Sequence, residues 1–437
     1  MIKLKKYFLP LIVCAMLLSA CGIPGQAFLT AAGASLHGGY SQEASVYIPL
    51  SNEHSQDDPR SPGWTDALSE DGLPPDVQPT GEVSKDGNEW INPLTGLPVS
   101  DPDLLKNPPA LVSITNFPVT ARPQAGLSFS PFVFEFFIGD GMTRFLAVFY
   151  GEYPRSAVPA MGGGSPEELA AGLPQPVIGP IRSGRLPYEH VRKLFNGFIV
   201  MASAYSRVAD QLKDYVNVYG TDQSDPNSAL MPVDKLADIA RANRQELEMS
   251  ALDVNTFDPA VPPGGKVAPS LWVFYAYLNQ IFWRYDSQDG TYHRWQDNAD
   301  ASTFIEQTDR LNGTPLTYEN VIVLFADHTV QNSYLIDVNL LYVKRGKALL
   351  LRDGQMFEIY WTTASEEYEK TTGKMRPIRF VDASGEPFPL KPGQTWVHIM
   401  PPYVPYWETV DSEVFNRLTA GRSKGSGFWA VYFKLDK

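Results

Sequence analysis

The pattern of apolar residues divides the chain into a short leader, a polar stretch and a long folded part. An apolar run extends from Tyr7 to Leu18 and is interrupted by Pro10 alone. From Gly22 to about Glu89 no periodic apolar pattern persists. Order is predicted to begin near Trp90, where short apolar runs bounded by turn residues start to recur. The sequence therefore predicts that the folded part of the chain spans 90–437.

Residues 90–258 are predicted to form a domain that mixes strands and helices. Apolar or β-rich runs predict strands, and runs with an apolar stripe at helical spacing predict helices. The strands are expected over Ala110–Phe117, Phe132–Ile138, Phe145–Tyr150 and Gly197–Ala202, and the helices over Pro187–Phe195, Tyr205–Tyr215 and Pro232–Glu248. Between them, Arg155–Val177 is rich in glycine and proline and is predicted to be a surface loop.

The pattern changes beyond a linker at 259–268, which carries three prolines and two glycines. Residues 269–437 then show short strands separated by turn signals. Eight strands are expected, over Leu271–Tyr275, Ile281–Tyr285, Tyr292–Trp295, Val321–Phe325, Leu335–Val338, Lys347–Leu351, Met356–Trp361 and Thr395–Ile399. This half is predicted to be a mainly β domain of sandwich or barrel type. The fold class of the whole chain is therefore predicted to be α+β, with a mixed α/β domain followed by a mainly β domain.

The start of the chain has the features of a bacterial lipoprotein signal peptide. Three lysines precede the apolar run, which is too short to span the roughly 30 Å hydrocarbon core of a bilayer comfortably. The run ends in Leu18-Ser19-Ala20-Cys21, which matches the lipobox, a motif whose cysteine sulfur receives a diacylglycerol before cleavage. Residues 1–20 are therefore predicted to be a signal peptide. The alternatives are an ordinary secretory signal with a chance cysteine, or a buried helix.

A lipid on Cys21 determines where the mature chain is expected to be. Two or three acyl chains, such as palmitate, anchor a protein stably, whereas one chain holds it only marginally. We therefore expect the protein to be attached to the cell membrane through Cys21, at the extracytoplasmic face.

Replacing Cys21 with serine is expected to release the protein from membranes, because the serine hydroxyl does not take the lipid that the thiol receives. Cell fractionation followed by immunoblotting measures this. Cys14→Ser is the matched control, since Cys14 lies in the leader that is removed. If the Cys21→Ser protein is processed normally and stays in the membrane fraction, the lipobox prediction is wrong.

Charge and cysteine content exclude several functions. The 437 residues include 36 Lys plus Arg and 49 Asp plus Glu, a formal net charge of −13 that becomes −16 when the three leader lysines are removed. Nucleic acid is not an expected partner, because binding it requires a basic surface. Two cysteines are too few for a disulfide framework or a four-cysteine zinc site. No metal or cofactor is predicted.

The polar stretch between the leader and the folded part is strongly acidic. Residues 41–100 contain 11 acidic side chains against Arg60 and Lys85, and proline, glycine and serine are frequent there. Segments of this composition repel themselves and do not bury enough apolar surface to fold. Residues 21–89 are therefore predicted to be an acidic, disordered tether.

Short motifs from both halves of the chain carry a family resemblance. In the first half they are Asn92–Pro98, Ala121–Ser128, Gly139–Phe145 and Ile178–Arg185, and in the second half Trp283–Asp286, Tyr292–Trp295, Gly346–Leu349, Arg352–Gly354 and Pro392–Trp396. In this order they resemble the YerB-like family of bacterial lipoproteins, over about 90–437. That family consists of two domains of unknown function, so the resemblance implies a membrane-anchored extracytoplasmic lipoprotein and no particular reaction. The Arg155–Val177 loop departs from the family pattern.

Four arginines within these motifs are candidates for binding an anion. They are Arg122, Arg144, Arg182 and Arg185, and all recur beside turn glycines in an acidic protein. Planar guanidinium groups bind phosphate or carboxylate through paired hydrogen bonds, and Ser183 with the neighbouring backbone N–H groups would add donors. The alternative is that these arginines form structural ion pairs with internal carboxylates such as Glu135 and Asp140.

Three other residues are candidates for catalysis. Glu135 lies in an apolar strand, where burial would raise its pKa towards that of a general acid, and Asp140 could complete a carboxylate pair. His190, which follows Arg185 on a short predicted helix, could act as a base, although a solvated helix histidine is the simpler interpretation. Aromatic residues that could stack on sugars, or equally form the core of the second half, are Trp283, Tyr285, Tyr292, Trp295, Trp361 and Trp396.

The interpretation that the sequence favours is a non-enzymatic, membrane-anchored binding protein. Its ligand would be an anionic glycan or phosphate of the cell envelope, held by the four arginines. One alternative is a hydrolase or transferase that acts on a glycan or phosphodiester through Glu135 or Asp140. Another is a scaffold for a protein partner. Binding predicts arginines that converge without carboxylate partners, whereas a scaffold predicts that every arginine is paired internally.

Overall fold

The computed structural model describes residues 85–86, 89–154, 176–222, 224–242, 249–332, 335–408 and 428–435. The predicted signal peptide, Cys21, almost all of the predicted tether and all but two residues of the Arg155–Val177 loop lie outside these ranges. The first strands are β1 (Lys85–Asp86), β2 (Glu89–Asn92), β3 (Leu97–Pro98), β4 (Ala110–Thr115), β5 (Phe132–Gly139), β6 (Met142–Phe149), β7 (Val177–Ile178), β8 (Phe198–Met201), β9 (Tyr215–Asn217) and β10 (Met231–Pro232).

The strands continue through the second half of the chain. They are β11 (Lys266–Val267), β12 (Ser270–Ala276), β13 (Asn279–Asp286), β14 (Thr291–Asp297), β15 (Phe304–Glu306), β16 (Thr317–Tyr318), β17 (Asn320–Phe325), β18 (His328–Asn332), β19 (Leu335–Val338), β20 (Gly346–Arg352), β21 (Gln355–Thr362), β22 (Arg379–Val381), β23 (Thr395–Met400), β24 (Tyr406–Glu408) and β25 (Phe428–Tyr432). All eight strands that the sequence predicts in this half are confirmed.

Helices are few in the described ranges. The α-helices are α1 (Pro187–Phe195), α2 (Ser206–Ala209), α3 (Val233–Ala242) and α4 (Glu367–Thr372), and short 3-10 helices cover Pro102–Lys106, Val119–Ala121, Leu127–Phe129 and Met249–Leu252. Of these helices, not one has both the length and the apolar character needed to cross a membrane. The described chain is therefore largely β, and the mixed α/β character predicted for the first half is not confirmed.

One predicted helix is wrong over most of its length. The sequence favours a helix over Tyr205–Tyr215, whereas the structure has the single turn α2, and Tyr215 begins strand β9. Strand β9 pairs in parallel with β8. The hydrogen bonds that Tyr215–Asn217 gain at this edge of the sheet outweigh the local helical preference of the segment.

An 11-stranded sheet forms the centre of the fold and takes strands from both halves of the chain. Its order is β11-β21-β20-β17-β23-β5-β6-β4-β8-β9, with β22 beside β21. Strand β23 lies parallel to both β17 and β5, and His398 is opposite Glu135 in the register of the β23–β5 pair. The segments predicted as separate domains thus share one sheet, and the boundary at 258–269 stays a prediction.

A second sheet packs on one face of the central sheet. It has seven strands in the order β15-β14-β13-β12-β25-β24, with β16 beside β14. Alternate residues of β5 enter different cores: Val133 belongs to the core between the two sheets, with Trp283 and Tyr292, whereas Phe134 belongs to the core beneath α1. This alternation decides which candidate residues can meet, because neighbours along a strand point to opposite faces.

Candidate functional site

Three of the predicted arginines converge on the face of the central sheet that carries α1. Arg144 is in β6, next to Leu146 of the core beneath α1, and its Nη1 donates hydrogen bonds of 2.9 Å to the carbonyl and the hydroxyl of Ser183. Arg182 and Arg185 flank Ser183 in the chain, just before α1. The structure thus brings together Arg144, Arg182, Ser183 and Arg185, which we call the arginine cluster.

The backbone of the segment that carries Arg182 and Arg185 is hydrogen-bonded to β4 and to the residues that follow β8. The backbone N–H of Arg182 donates to Ser113, and the Arg182 carbonyl accepts from Ala202, both at 2.9 Å. Gly184 donates to Ser203 at 3.0 Å. A Cβ at position 184 would lie 2.5 Å from the Met201 sulfur, so a larger residue there would have to displace the Met201 side chain.

Burial and mutual repulsion shape the electrostatics of the arginine cluster. Burial and the positive charges of Arg185 and Arg182 together lower the pKa of Arg144 to about 9. Burial also lowers the pKa values of Arg182 and Arg185, although the charge of Asp225 raises that of Arg182. Grouping like charges in a poorly hydrated place costs free energy unless an opposite charge joins them.

The arginine cluster has unused hydrogen-bonding capacity. Among the residues that the structure describes, Arg144, Arg182 and Arg185 form no salt bridge with a carboxylate. Each also has a buried Nε atom that lacks a hydrogen-bond partner there. The hydroxyl of Tyr188 lies beside them, 3.4 Å from Ser113 Oγ. Three guanidinium groups and the hydroxyl of Ser183 can therefore donate to an anion, whereas Tyr188 is fully buried.

Arg122, the fourth predicted arginine, lies on the opposite face of the central sheet. Its Nε donates to the backbone and side-chain oxygens of Asn116 at 3.2 Å, and its Nη1 donates to the Asp297 carbonyl at 2.8 Å. The guanidinium carbon is 4.8 Å from the centre of the Phe117 ring. Burial and the charge of Arg294 lower the pKa of Arg122 to about 9. The four arginines therefore do not form one site.

Glu135 lies at the centre of a buried polar network between the two sheets. Its side chain is fully inaccessible to solvent and accepts hydrogen bonds from Thr143 at 2.7 Å, from Arg294 at 3.2 Å and from Trp396 Nε1 at 3.2 Å. Arg294 is also buried and donates to Gln296 at 2.7 Å. We call this group the inter-sheet network. The partner of Glu135 is Arg294, not Arg144.

The hydrogen bonds of His398 determine which of its nitrogens carries the proton. Trp283 Nε1, which can only donate, lies 2.8 Å from His398 Nε2, so Nε2 is the acceptor. The proton is then on Nδ1, which faces the Tyr275 hydroxyl at 3.1 Å and the Glu135 carboxylate at 3.5 Å. Burial and the charge of Arg294 hold the pKa of His398 well below its usual value. His398 therefore links the second sheet to Glu135 as a neutral imidazole.

The three candidates for catalysis do not come together. Glu135 is buried in β5, whereas Asp140 is exposed in the turn between β5 and β6. Gly139, the neighbour of Asp140, lies four residues beyond Glu135 along the strand, a backbone distance of roughly 13 Å, whereas the carboxyl groups of a glycosidase pair lie closer together than this. His190 Nδ1 lies 2.7 Å from the carbonyl of Val338, which ties α1 to β19.

Comparison with known proteins identifies the two halves of the chain. The family described as protein of unknown function (DUF3048), N-terminal domain, matches residues 94–162, and its C-terminal domain matches residues 272–397. The chain carries both DUF3048 domains. The resemblance to the YerB-like family is therefore confirmed.

Bacillus subtilis provides both a related sequence and a related structure. YerB of strain 168, named as a candidate lipoprotein, is 25% identical over 329 residues, which cover 71% of this chain and 86% of YerB. The crystal structure of Bacillus subtilis YerB superposes with a TM-score of 0.52 at 22% identity, over 72% of this chain and 97% of that one. The two proteins thus share a fold.

The arginine cluster spans the first DUF3048 match and the part of the chain that follows it. Arg144 lies within the matched range 94–162, whereas Arg182, Ser183 and Arg185 lie between the two matched ranges. The N-terminal DUF3048 domain therefore contributes one arginine on β6, and the segment before α1 contributes the other two.

Within the C-terminal DUF3048 domain, Asp286, Asp289 and His293 have ligand atoms within 4.8 Å of one another. His293 is already engaged on both sides, by Asp289 at 2.7 Å and Glu306 at 2.8 Å. Burial lowers the pKa of His293, but the hydrogen bonds to Glu306 and Asp289 outweigh this and raise it above its usual value. His293 is therefore an imidazolium held between the carboxylates of Asp289 and Glu306.

Most of the aromatic residues considered for sugar stacking form cores. Trp283, Tyr292, Trp361 and Trp396 are buried, and Trp283, Tyr292 and Trp396 pack between the two sheets. Trp396 lies 4.9 Å from Phe145 and 5.6 Å from Trp283, measured between ring centres. These rings position the inter-sheet network and do not form an exposed stacking face.

Proposed function

We propose that the protein is a membrane-anchored, extracytoplasmic lipoprotein that binds a phosphate-bearing component of the cell envelope at the arginine cluster. The observation that carries the proposal is the convergence of Arg144, Arg182 and Arg185, with no salt bridge to any described carboxylate and a partnerless Nε on each. A multiply charged anion would offset the repulsion among the three guanidinium groups and accept their unused hydrogen bonds.

Other buried arginines of this chain are paired with carboxylates, which supports a ligand at the arginine cluster. Arg376 is paired with Glu366 and Glu369, and Arg294 is paired with Glu135. Arg379 is likewise paired with Glu366, so these buried guanidinium groups have a carboxylate beside them, as the cost of burying a charge requires, whereas Arg122 has only neutral oxygen partners. The three clustered arginines depart from this pattern at one place on the surface of the sheet.

Phosphate fits the arginine cluster better than a single carboxylate. A phosphoryl group offers three peripheral oxygens and up to two negative charges, so three guanidinium groups can each engage it. A carboxylate offers two oxygens and one charge and would leave one arginine uncompensated. A phosphate-bearing envelope polymer or glycan combines this charge with the location that the lipobox predicts.

Membrane anchoring rests on two independent observations. The sequence ends its apolar leader in Leu18–Cys21, which matches the lipobox. The related YerB is itself named as a candidate lipoprotein. A lipid at Cys21 would keep the arginine cluster close to envelope polymers at the membrane surface.

Catalysis through Glu135 has less support than binding. Both carboxylate oxygens of Glu135 already accept hydrogen bonds, from Thr143, Arg294 and Trp396, and the side chain is shielded from solvent. A general acid must reach the reacting atom of its substrate. The hydrolase hypothesis would therefore require the two sheets to separate.

Ligand-induced stabilisation tests the proposal. Thermal unfolding of the full chain in nanodiscs of zwitterionic lipid is measured with inorganic phosphate, pyrophosphate, tripolyphosphate and a neutral oligosaccharide, at ionic strength matched with sodium chloride. A ligand at 100 times its dissociation constant stabilises by about 2.7 kcal/mol. We expect a shift that grows along the phosphate series and is lost in Arg182→Gln and Arg185→Gln.

The matched control is Arg284→Gln, which removes an exposed arginine from β13. This variant should respond to the phosphates as the unmodified chain does. The proposal is wrong if no phosphate shifts the unfolding temperature, or if the shift survives in Arg182→Gln and Arg185→Gln. The first of these results would favour the protein-partner hypothesis, to be pursued by crosslinking in the membrane.

A further inference from the structure

A cavity of about 680 Å³ opens at the carboxyl ends of β17 and β23. These two strands are adjacent and parallel in the central sheet. Loops at the carboxyl ends of neighbouring parallel strands commonly surround ligand sites. The volume lies within the range of about 300–1,000 Å³ that is typical of small-molecule sites.

The floor of the cavity is aromatic and fixed in position. Phe325, Trp361 and Tyr406 line it and are buried in the fold. Trp361 Nε1 donates to the Phe325 carbonyl at 3.0 Å, and Gly346 makes room for the indole, because a Cβ there would overlap Trp361. At the mouth, the ring of Tyr403 is 48% exposed. Because the floor rings are buried, the aromatic surface open to a ligand is that of Tyr403 at the mouth.

Three planar polar groups stand around this aromatic floor: Asp327, Asn339 and Arg345. The Asn339 backbone N–H donates to the Asp327 carbonyl at 2.8 Å, which holds the first two loops together. Arg345 is fixed by a 3.0 Å hydrogen bond to Ala383 and by stacking, with its guanidinium carbon 3.6 Å from the centre of the Tyr360 ring. Its Nε has no hydrogen-bond partner among the described residues.

We infer that this cavity binds a pyranose unit of a neutral saccharide. A pyranose ring combines apolar C–H faces, which pack on aromatic rings, with adjacent hydroxyls that both donate and accept. The carboxylate, amide and guanidinium of Asp327, Asn339 and Arg345 supply acceptors and donors together. Asp327 disfavours an anion, Arg345 disfavours a cation, and the remaining donors and acceptors of these groups favour a polar ligand over a purely apolar one. The site is separate in its residues from the arginine cluster.

Saccharide binding is measured by saturation-transfer NMR and isothermal titration calorimetry on the full chain in nanodiscs. The probes are maltotetraose and the tetramer of N-acetylglucosamine, with a proline-rich decapeptide as the competing class of ligand. We expect saturable binding of at least one tetrasaccharide. Asn339→Ala, which removes an exposed amide at the rim, should weaken it roughly tenfold, as the loss of hydrogen bonds to a neutral ligand does. Tyr403→Ala should weaken it as well.

Two variants distinguish a failure of this inference from a failure of the proposed function. Arg182→Gln should leave saccharide binding unchanged, and Asn339→Ala should leave the response to phosphates unchanged. The inference is overturned if neither tetrasaccharide binds, if binding is the same in Asn339→Ala and Tyr403→Ala, or if only the decapeptide binds. Far-ultraviolet circular dichroism of each variant confirms that a loss of binding does not come from unfolding.

Discussion

Replacing Glu135 with leucine is expected to lower the free energy of unfolding by about 3–5 kcal/mol, the usual cost of breaking a buried ion pair by removing one partner. The substitution would leave the charge of Arg294 uncompensated between the sheets, where its side chain is 1% exposed. It would also remove the acceptor of the Thr143 hydroxyl and of Trp396 Nε1. Urea denaturation followed by tryptophan fluorescence measures the loss.

The double variant Glu135→Leu/Arg294→Met is the matched control for this result. Removing both charges together can be nearly neutral, because a well-packed apolar pair replaces two desolvated ions. We therefore expect the double variant to be more stable than Glu135→Leu alone, with a clear coupling between the two sites. If the free energies of unfolding lost through the two single substitutions simply add up in the double variant, Glu135 and Arg294 do not stabilise the fold as a pair.

Replacing Arg376 with methionine is also expected to cost about 3–5 kcal/mol. Arg376 is fully buried and donates to Glu369 at 2.7 Å and to Glu366 at 2.8 Å. Without it, Arg379 alone would compensate two carboxylates at the start of α4. The exposed pair of Arg241 and Asp238 provides a matched control, since Arg241→Met should change stability by less than about 1 kcal/mol.

Acid should diminish the effect of Arg376→Met. Burial raises the pKa of Glu369, but the hydrogen bond and charge of Arg376 outweigh this and hold it below the usual 4.5. A depressed pKa contributes stability that is fully present above the unfolded value and is lost as pH falls through the folded value. The difference between the two proteins should therefore be constant from pH 7 to 5 and shrink below about 4.5. A difference that grows in acid would contradict this assignment.

Local pattern predicted the strands well because their apolar runs are continuous or alternating. Helix α1 was predicted with its observed bounds, since Pro187 suits a first turn and Asn196 ends the helix in a left-handed conformation. The shared central sheet could not be predicted. Strand β23 pairs with β5 from the other half of the chain, and an apolar run carries no information about which distant run it will join.

The arginine cluster was predicted only in part, because a motif does not tell on which face of a sheet its residues lie. Arg144 shares the face of Leu146, whereas Arg122 contacts Asn116 on the other side. Arg294 was missed. The structure places Arg294 on the same face of β14 as the buried Tyr292, and its charge gives no sign in the sequence that it belongs to the core.

The most direct test of anion binding follows the arginine Nε–Hε groups by NMR in the full chain labelled with nitrogen-15 arginine. Variants with lysine at positions 144, 182 and 185 assign the resonances. On titration with pyrophosphate, we expect the Nε–Hε resonances of Arg144, Arg182 and Arg185 to shift together with one dissociation constant, while that of Arg122 does not move. If the three resonances stay in place, or move only as they do with sodium chloride, the arginine cluster is not an anion site.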